Sequence, residues 1–383
     1  MAIIKPTLNL VASEYTPEII NTTRASGATR VNAAGLVERV SDGTLRYDHD
    51  PTTLAGKGWL IEEARTNILI QSEDLQTNWT AQNVGFGTKG TAPDGKTTAE
   101  LVDDSGGTAS NHSVYYSYSF TSGTSYTLSA WFKVGSGSHG WLQMPSSAFP
   151  GNISAEFDIA NLTSVDISDS GASAESITMV EYPNGWVRCS ITDTADATTS
   201  GNVQMGLNDG NGTTTVFTGS GLDMYMWGIQ LEAGSFASSY IPTTTAAVTR
   251  AKDVVSASLS DIDYIQDPFS GTLYVHGSFV NSGATGYLAL AALYEDGNRY
   301  MYLEQQSNTV KAGGYDESGA KQFELTLISA ALVSATDYRF AISFDTNDIA
   351  AVVDGGTVQT DGTATIANEV TDLYLGSLGG GQT

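Results

Sequence analysis

The chain has 383 residues, of which 17 are Lys or Arg and 42 are Asp or Glu, for a formal net charge of −25. A surface of this charge repels phosphate backbones and anionic headgroups, which argues against a nucleic-acid binder and a peripheral membrane protein. No apolar run approaches the roughly 18 residues of a membrane span, so we expect no membrane insertion. The N-terminus lacks the apolar stretch of a signal peptide, so we expect synthesis in a cytoplasm without export.

The first part of the chain differs from the rest in charge and in pattern. Residues 1–70 carry 7 basic and 8 acidic residues, whereas 71–250 and 251–383 each have a net charge of −12. The first part also shows little periodicity and several turn signals, such as Ser41-Asp42-Gly43. These features predict an extended arm over residues 1–66, with short β pieces and no core of its own.

The next segment, residues 67–245, alternates apolar and polar residues in short runs separated by Gly, Ser and Asn turns. This pattern is typical of a β-sandwich or jelly roll. The clearest predicted strands cover residues 114–120, 126–134, 155–159, 186–191, 203–207 and 222–231. The only cysteine, Cys189, lies in one of them, so no intrachain disulfide forms and we expect a buried structural thiol.

A Pro-Thr-Thr-Thr run at residues 242–245 breaks the pattern, and strand-like alternation resumes over the last segment, 246–383. Predicted strands there cover residues 272–280, 287–293, 300–305, 309–313, 322–327, 338–344, 350–353, 357–360 and 372–375. No stretch beyond about ten residues shows the period of a capped helix. The sequence therefore predicts an all-β protein, with two antiparallel β-sandwiches after the arm.

Several runs are specific enough to compare with known proteins. In the arm they are residues 23–32 (TRASGATRVN), 35–38, 46–51 and 58–67; in the next segment they are 126–133 (YTLSAWFK), 184–188, 227–234 (WGIQLEAG) and 240–244. These runs closely resemble those of tailed-bacteriophage virion proteins. In that group the arm precedes a jelly roll similar to a carbohydrate-binding module.

The last segment has a looser resemblance, carried by residues 271–275 and 373–376, to the laminin-G/concanavalin-like sandwich that follows in many such proteins. Members of the group continue into another strand after the second run. The resemblance therefore leaves two alternatives: the sequence stops short of that strand, or the last sandwich is incomplete at its C-terminus. It also implies a place in the virion, attachment through the arm and a homo-oligomer, with a trimer as the commonest state.

Catalytic patterns are weak in this sequence. Glycoside hydrolysis uses two carboxylates about 5–10 Å apart, and no Glu-x-Asp-x-x-Glu pattern occurs. The pairs Glu295-Asp296 and Asp316-Glu317 lie beside turn glycines, and we interpret them as solvated loop acids. The four histidines lie far apart in the sequence and outside any nucleophile motif. We therefore assign no catalytic residue and expect a protein that is not an enzyme.

Two acidic groups could bind a metal. Asp48-His49-Asp50 precedes Pro51, and we interpret it as a turn. The resemblance implies a better candidate, since carbohydrate-binding jelly rolls often hold a structural Ca²⁺ between the domain start and the last strand. The matching residues are Glu73, Asp74 and Asp223. Because Ca²⁺ takes six to eight oxygen ligands, these acids would supply only part of a site. No other cofactor is expected.

Aromatic residues on a polar sheet face suggest sugar binding. In residues 126–134, alternation places Leu128, Ala130, Phe132 and Val134 on the core side and Thr127, Ser129, Trp131 and Lys133 on the other. The Trp131 side chain is then either covered by a loop or a neighbouring subunit, or open as a sugar platform with Lys133 beside it. Trp141 and Tyr115 are weaker candidates of the same kind, whereas Trp186 is expected in a core.

The first hypothesis is a non-enzymatic bacteriophage virion surface protein of the tail-fibre or appendage type, assembled in the bacterial host cytoplasm. Its expected partners are other virion proteins, copies of itself, and host-surface or environmental glycans. One alternative is a capsid decoration or head-fibre protein with a structural role. A second alternative is a glycan depolymerase.

Overall fold

The computed structural model of the protein describes residues 10, 12–13, 17–105, 107, 109–259, 270–279, 287–306, 309–330, 332–333, 336–364 and 370–376. Within these residues the chain forms β-strands and turns, one 3₁₀ turn at Pro183–Gly185, and no α-helix. The predicted all-β class is therefore confirmed. No helix in this part of the chain is long and apolar enough to cross a membrane. The expectation for the C-terminal end concerns residues 377–383, which lie outside the described residues.

The described part of the arm contains six short strands. They are β1 Ile20–Thr23, β2 Ala28–Val31, β3 Val37–Val40, β4 Arg46–His49, β5 Gly56–Leu60 and β6 Arg65–Asn67. β2 pairs with β3 and β4 pairs with β5, both antiparallel. β1 and β6 instead pair with strands that lie after residue 245.

Thirteen strands follow, and they form the first sandwich. They are β7 Thr80–Gln82, β8 Gly85–Phe86, β9 Glu100–Asp103, β10 Ala109–Ser119, β11 Ser125–Val134, β12 His139–Met144, β13 Ile153–Asp158, β14 Thr163–Asp166, β15 Ser176–Tyr182, β16 Trp186–Thr194, β17 Ser200–Asn208, β18 Val216–Thr218 and β19 Asp223–Ala233. One sheet has the order β14-β13-β12-β17-β10-β18, with β7 also on β10, and the other β15-β16-β11-β19-β9-β8. The strands without a counterpart among those predicted are β7, β8, β9, β12, β14, β15 and β18.

The remaining strands form the second sandwich and its junction with the arm. They are β20 Val248–Arg250, β21 Val254–Ser258, β22 Gly271–Ser278, β23 Tyr287–Tyr294, β24 Tyr300–Gln306, β25 Thr309–Tyr315, β26 Lys321–Ile328, β27 Asp337–Asp345, β28 Asp348–Val353, β29 Gln359–Asp361 and β30 Asp372–Leu375. One sheet has the order β1-β21-β30-β23-β24-β25-β26, so the arm supplies its edge strand. The other sheet has the order β22-β27-β28-β29, and β20 pairs with β6.

A hydrophobic core lies between the two sheets of each sandwich. In the first sandwich it includes Leu128 and Phe132 from one sheet and Leu142 and Met205 from the other. Cys189 is buried in this core as a free thiol, as expected, and burial raises its pKa well above the usual value. The second sandwich is filled by two smaller apolar clusters, which include Leu293 and Phe340.

A buried ion network joins the arm to the segment between the sandwiches. Asp253 accepts hydrogen bonds from Nη1 of Arg24, at 2.7 Å, and from Nη2 of Arg46. Arg46 Nη1 also donates to Glu62 Oε2 at 2.7 Å, and the Arg250 guanidinium lies 3.4 Å from the same oxygen. Burial alone would raise the pKa of Glu62, but the charges of Arg250 and Arg46 outweigh it and hold that pKa at about 2. Glu62 is therefore ionised at neutral pH.

Removing one charge from this network should destabilise the protein strongly. Asp253→Asn removes the carboxylate that pairs with the buried Arg24 and one of the two that pair with the buried Arg46, so we expect the free energy of unfolding to fall by about 3–5 kcal/mol. Urea denaturation followed by tryptophan fluorescence measures the change. The control is Glu38→Gln, which removes the solvated Arg30–Glu38 pair and should cost less than about 1 kcal/mol. Equal, small losses in both variants would contradict the structural role of the network.

Candidate functional site

The outward face of the sheet that contains β10, β12, β13 and β17 carries a row of polar side chains, which we call the polar face. Val114, Leu142 and Met205 point into the core, so their neighbours along each strand point outward. In the strand register, Tyr115 lies opposite Gln204, Gln204 opposite Gln143, and Gln143 opposite Ser154. A second row beside it runs through Ser113, Gly206, Trp141 and Glu156. Eight positions on four adjacent strands thus share one surface.

Two glutamine side chains are held in place on the polar face. Ser113 Oγ donates to Gln204 Oε1 at 3.1 Å, and Ser154 Oγ donates to Gln143 Oε1 at 3.2 Å. The serines thereby engage each amide oxygen, while neither Nε2 group donates to another atom of the described chain. Tyr115 and Gln204 are half-buried and Gln143 is 6% exposed, so a phenol ring and one more accessible and one less accessible amide donor lie along one strip. Such groups can bind the hydroxyls and the C–H face of a sugar.

Trp141 also lies on the polar face but is not an open platform. Its side chain is 0% exposed, and its Nε1 donates to the Leu207 carbonyl at 2.7 Å. A Cβ atom at Gly206 would lie 2.6 Å from that indole nitrogen, so the ring fills the space that the glycine leaves. The expectation that Trp141 stacks against a ligand is therefore wrong, and its role is to pack the face.

The loop after β17 closes one end of the polar face. Asn208 Nδ2 donates to Glu156 and also, at 2.9 Å, to the Thr214 carbonyl. Glu156 is buried, and burial raises its pKa above the usual value. The hydrogen bonds of Asn208 tie the loop to β13, and ligand access is then from the Tyr115 side of the rows.

Trp131 is the main correction to the sequence-based site. It points away from the core row, as its alternation predicts, but its side chain is 0% exposed. The β2–β3 hairpin of the arm covers it with Val31 and Val37, which belong to the same apolar cluster. The other members are Ala92, Ala99, Tyr182, Trp186, Trp227 and Tyr240. The alternative of a covered side chain therefore holds, and the open platform is wrong.

The Trp131 ring is fixed by aromatic and cationic neighbours. The Trp227 and Tyr240 rings meet it edge-on with centroids 5.3 Å away, and the Arg188 guanidinium lies 4.4 Å from the ring centroid. Trp186 is buried in the same cluster, which agrees with its expected core role. Lys133 lies two residues farther along β11 and is half-buried. Trp131 and Lys133 thus belong to the other sheet, and the structure does not bring them near Tyr115 and Trp141.

The three calcium candidates have separate protein partners. Glu73 Oε1 accepts from Arg39 Nη2 at 2.8 Å, and Asp74 Oδ2 accepts from the Thr77 hydroxyl at 2.8 Å. Asp223 Oδ1 accepts from the Ser136 amide at 2.7 Å. Among the described residues, no group of three or more His, Cys, Asp or Glu side chains is placed to hold a metal ion. The expected shared site of Glu73, Asp74 and Asp223 is therefore not formed.

Sequence reasoning missed Gln143 and Gln204, the two residues of the polar face whose Nε2 groups donate to no atom of the described chain. Gln204 lies in a predicted strand, but a lone glutamine on a polar face carries no chemical signal. Gln143 lies in β12, whose run His-Gly-Trp-Leu-Gln-Met was not read as a strand. Pairing Trp141 with Gln143 as alternate outward positions was the one signal that could have pointed to this row.

Comparisons with known proteins give only general likeness. No protein-family model and no curated protein matches the chain. A solved tandem CBM22 domain of Paenibacillus barcinonensis Xyn10C is 9% identical, with a TM-score of 0.27, over 82% of this chain and 89% of that one. Domains LG4-5 of mouse laminin alpha1 are 12% identical (TM-score 0.20, 73% and 82% covered), and the LG1-3 region of laminin alpha2 is 13% identical (TM-score 0.20, 70% and 60%). At these TM-scores the likeness supports no inference about function.

The burial of Trp131 predicts a loss of stability when its ring is removed. Trp131→Ala should lower the free energy of unfolding by about 3–5 kcal/mol, as should Trp186→Ala, because both rings fill one cluster. Thermal and urea denaturation of the full chain measure both changes. The control is Tyr274→Ala, whose side chain is 58% exposed and whose loss should cost about 0.5 kcal/mol or less. A Trp131→Ala protein as stable as the wild type would show that the arm does not cover this ring.

Proposed function

We propose that the chain is a glycan-binding β-sandwich protein and that its ligand lies along the polar face. The observation that carries this proposal is the row of Tyr115, Gln204 and Gln143. The amide oxygens of both glutamines accept hydrogen bonds from serines, whereas their Nε2 groups donate to no atom of the described chain. Sugars present vicinal hydroxyls beside apolar C–H faces, and an amide–phenol strip matches both features. The β-sheet holds the strip rigid, so binding costs little side-chain entropy.

The proposed activity is binding without bond cleavage. Of the eight positions in the two rows of the polar face, only Glu156 is a carboxylic acid, and it accepts a hydrogen bond from Asn208. Glycoside hydrolysis uses a pair of carboxylates across the scissile bond. The rows therefore favour a binding module over a depolymerase.

We also propose that the chain is a surface component of a tailed-bacteriophage particle, joined to other virion proteins and to copies of itself through residues 1–66. The support is the resemblance of the arm runs to phage virion proteins, together with the net charge of −25, which disfavours contact with nucleic acid. Antibodies raised against the purified chain should label intact particles of the phage that encodes it. The placement would be contradicted if intact particles remained unlabelled and the denatured proteins of the particle also failed to react with these antibodies.

The polar face can be tested with variants that lack the amide. Gln143→Leu and Gln204→Leu replace it with an apolar side chain of similar bulk, so each should weaken glycan binding by about two- to tenfold, the range for one hydrogen bond. A panel of soluble bacterial capsule and cell-wall polysaccharides identifies a ligand, and calorimetry with that ligand measures the variants.

The matched control is Gln359→Leu, on β29 of the second sandwich, which should bind as the wild type does. Circular dichroism melts of all three variants check that folding is retained. Wild-type affinity in both Gln143→Leu and Gln204→Leu, or a wild-type chain that binds no glycan of the panel, would contradict the proposal.

A further inference from the structure

A groove opens at one end of the first sandwich, away from the polar face. It has a volume of about 290 Å³ and lies where the end of β11, the turn after β13 and the turn between β15 and β16 meet. Its wall is largely apolar, with contributions from Ile159, Leu162 and Val187. Two charged residues, Lys133 and Glu181, complete it. The groove is near the lower size limit of small-ligand sites, which matches one sugar residue.

Lys133 forms no ion pair in the described part of this very acidic protein; the same holds for Lys57 and Lys252, but of the three only Lys133 lines the groove. Four other lysines, Lys89, Lys96, Lys311 and Lys321, form ion pairs with carboxylates. Within the described residues Lys133 makes no such pair, although it is half-buried beside apolar groups. A cation beside low-dielectric walls attracts an anion more strongly than a fully solvated one does. Lys133 therefore favours one anionic group of a ligand at its own end of the groove.

Glu181 gives the groove a second polar contact. Its carboxylate forms no hydrogen bond or ion pair with the described chain, Lys133 included, although both residues line the same groove. A free carboxylate accepts hydrogen bonds from hydroxyl groups. A ligand that fits both residues thus has an anionic group at one end and hydroxyl donors at another.

The apolar rim is held in an unusual conformation. Leu162 has a φ of 55° and is 45% exposed. A left-handed backbone is unfavourable for a leucine, and such positions are enriched at ligand sites. This turn presents an apolar side chain at the mouth of the groove, where it can contact the C–H face of a ligand.

We propose that this groove binds a carboxylate-bearing sugar residue, such as a hexuronic acid within a glycan chain. Lys133 pairs with the sugar carboxylate, Glu181 accepts from its hydroxyls, and Ile159, Leu162 and Val187 contact its C–H face. Lys133 lies in the sheet that contains β11, whereas the polar face lies on the other sheet. The groove is therefore a second site, and it stands even if the polar face binds nothing.

The test uses the full chain and two probes that differ in the carboxyl group, which is free and charged in one and methyl-esterified and neutral in the other. Oligogalacturonate should bind, and its fully methyl-esterified form should bind at least about tenfold more weakly, because the ester removes the anion that Lys133 pairs with. Lys133→Ala should lower oligogalacturonate affinity by about tenfold, and Lys133→Arg should restore most of it. Lys96→Ala, which removes an exposed lysine elsewhere, is the charge-matched control and should bind as the wild type does.

Four results would overturn the assignment. The first three are equal binding of the esterified probe, wild-type affinity in Lys133→Ala, and displacement of the oligosaccharide by inorganic phosphate at equal concentration, which would indicate a simple anion site; the fourth comes from a double variant of the polar face. The double variant Gln143→Leu/Gln204→Leu separates the two sites. Retained oligogalacturonate binding in that variant supports the groove, whereas loss of binding there assigns the acidic sugar to the polar face and overturns the groove proposal.

Discussion

The carboxylate of Asp253 pairs with Arg24 and Arg46, which lie 229 and 207 positions earlier in the chain. The folded position of the arm depends on this contact. The arm strands are three to five residues long, so their own ladders hold them weakly. Arg24 also donates to the carbonyls of Ser26, Ser41 and Thr44. Because a buried charge without its partner costs several kcal/mol, the turns of the arm and the segment after the first sandwich order together.

The position of the arm decides which sheet face of the first sandwich stays open. With its ion network formed, the β2–β3 hairpin lies on the sheet that contains β11, and the Thr29 hydroxyl donates to the Tyr240 carbonyl at 2.6 Å. This contact completes an apolar cluster outside the main core, around Trp131. One outward face is thereby used for folding. On the opposite outward face, Tyr115 and Gln204 stay half-buried rather than fully covered.

Local alternation was enough to predict much of this fold. The strands that became β10, β11, β16 and β19, the side of β11 on which Trp131 lies, and the burial of Cys189 all follow from period-two patterns. The cover over Trp131 does not, because it depends on contacts between residues about 100 positions apart. The arginine-containing runs of the arm resemble an attachment segment in sequence, yet Arg24 and Arg46 bond to Asp253. Long-range partners of this kind leave no periodic signal.

The polar face gains its rigidity from contacts that do not touch a ligand. Trp141 fills the space over Gly206, which keeps β12 and β17 in close register. Ser113 and Ser154 then hold the amide oxygens of the two glutamines, so each amide group is oriented before any ligand arrives. A side chain already held in one rotamer loses little entropy on binding, and the resulting hydrogen bond contributes more of its energy to affinity. The buried tryptophan and the two serines therefore support the proposed binding surface, on which Tyr115 and the glutamine amides are the proposed sugar contacts.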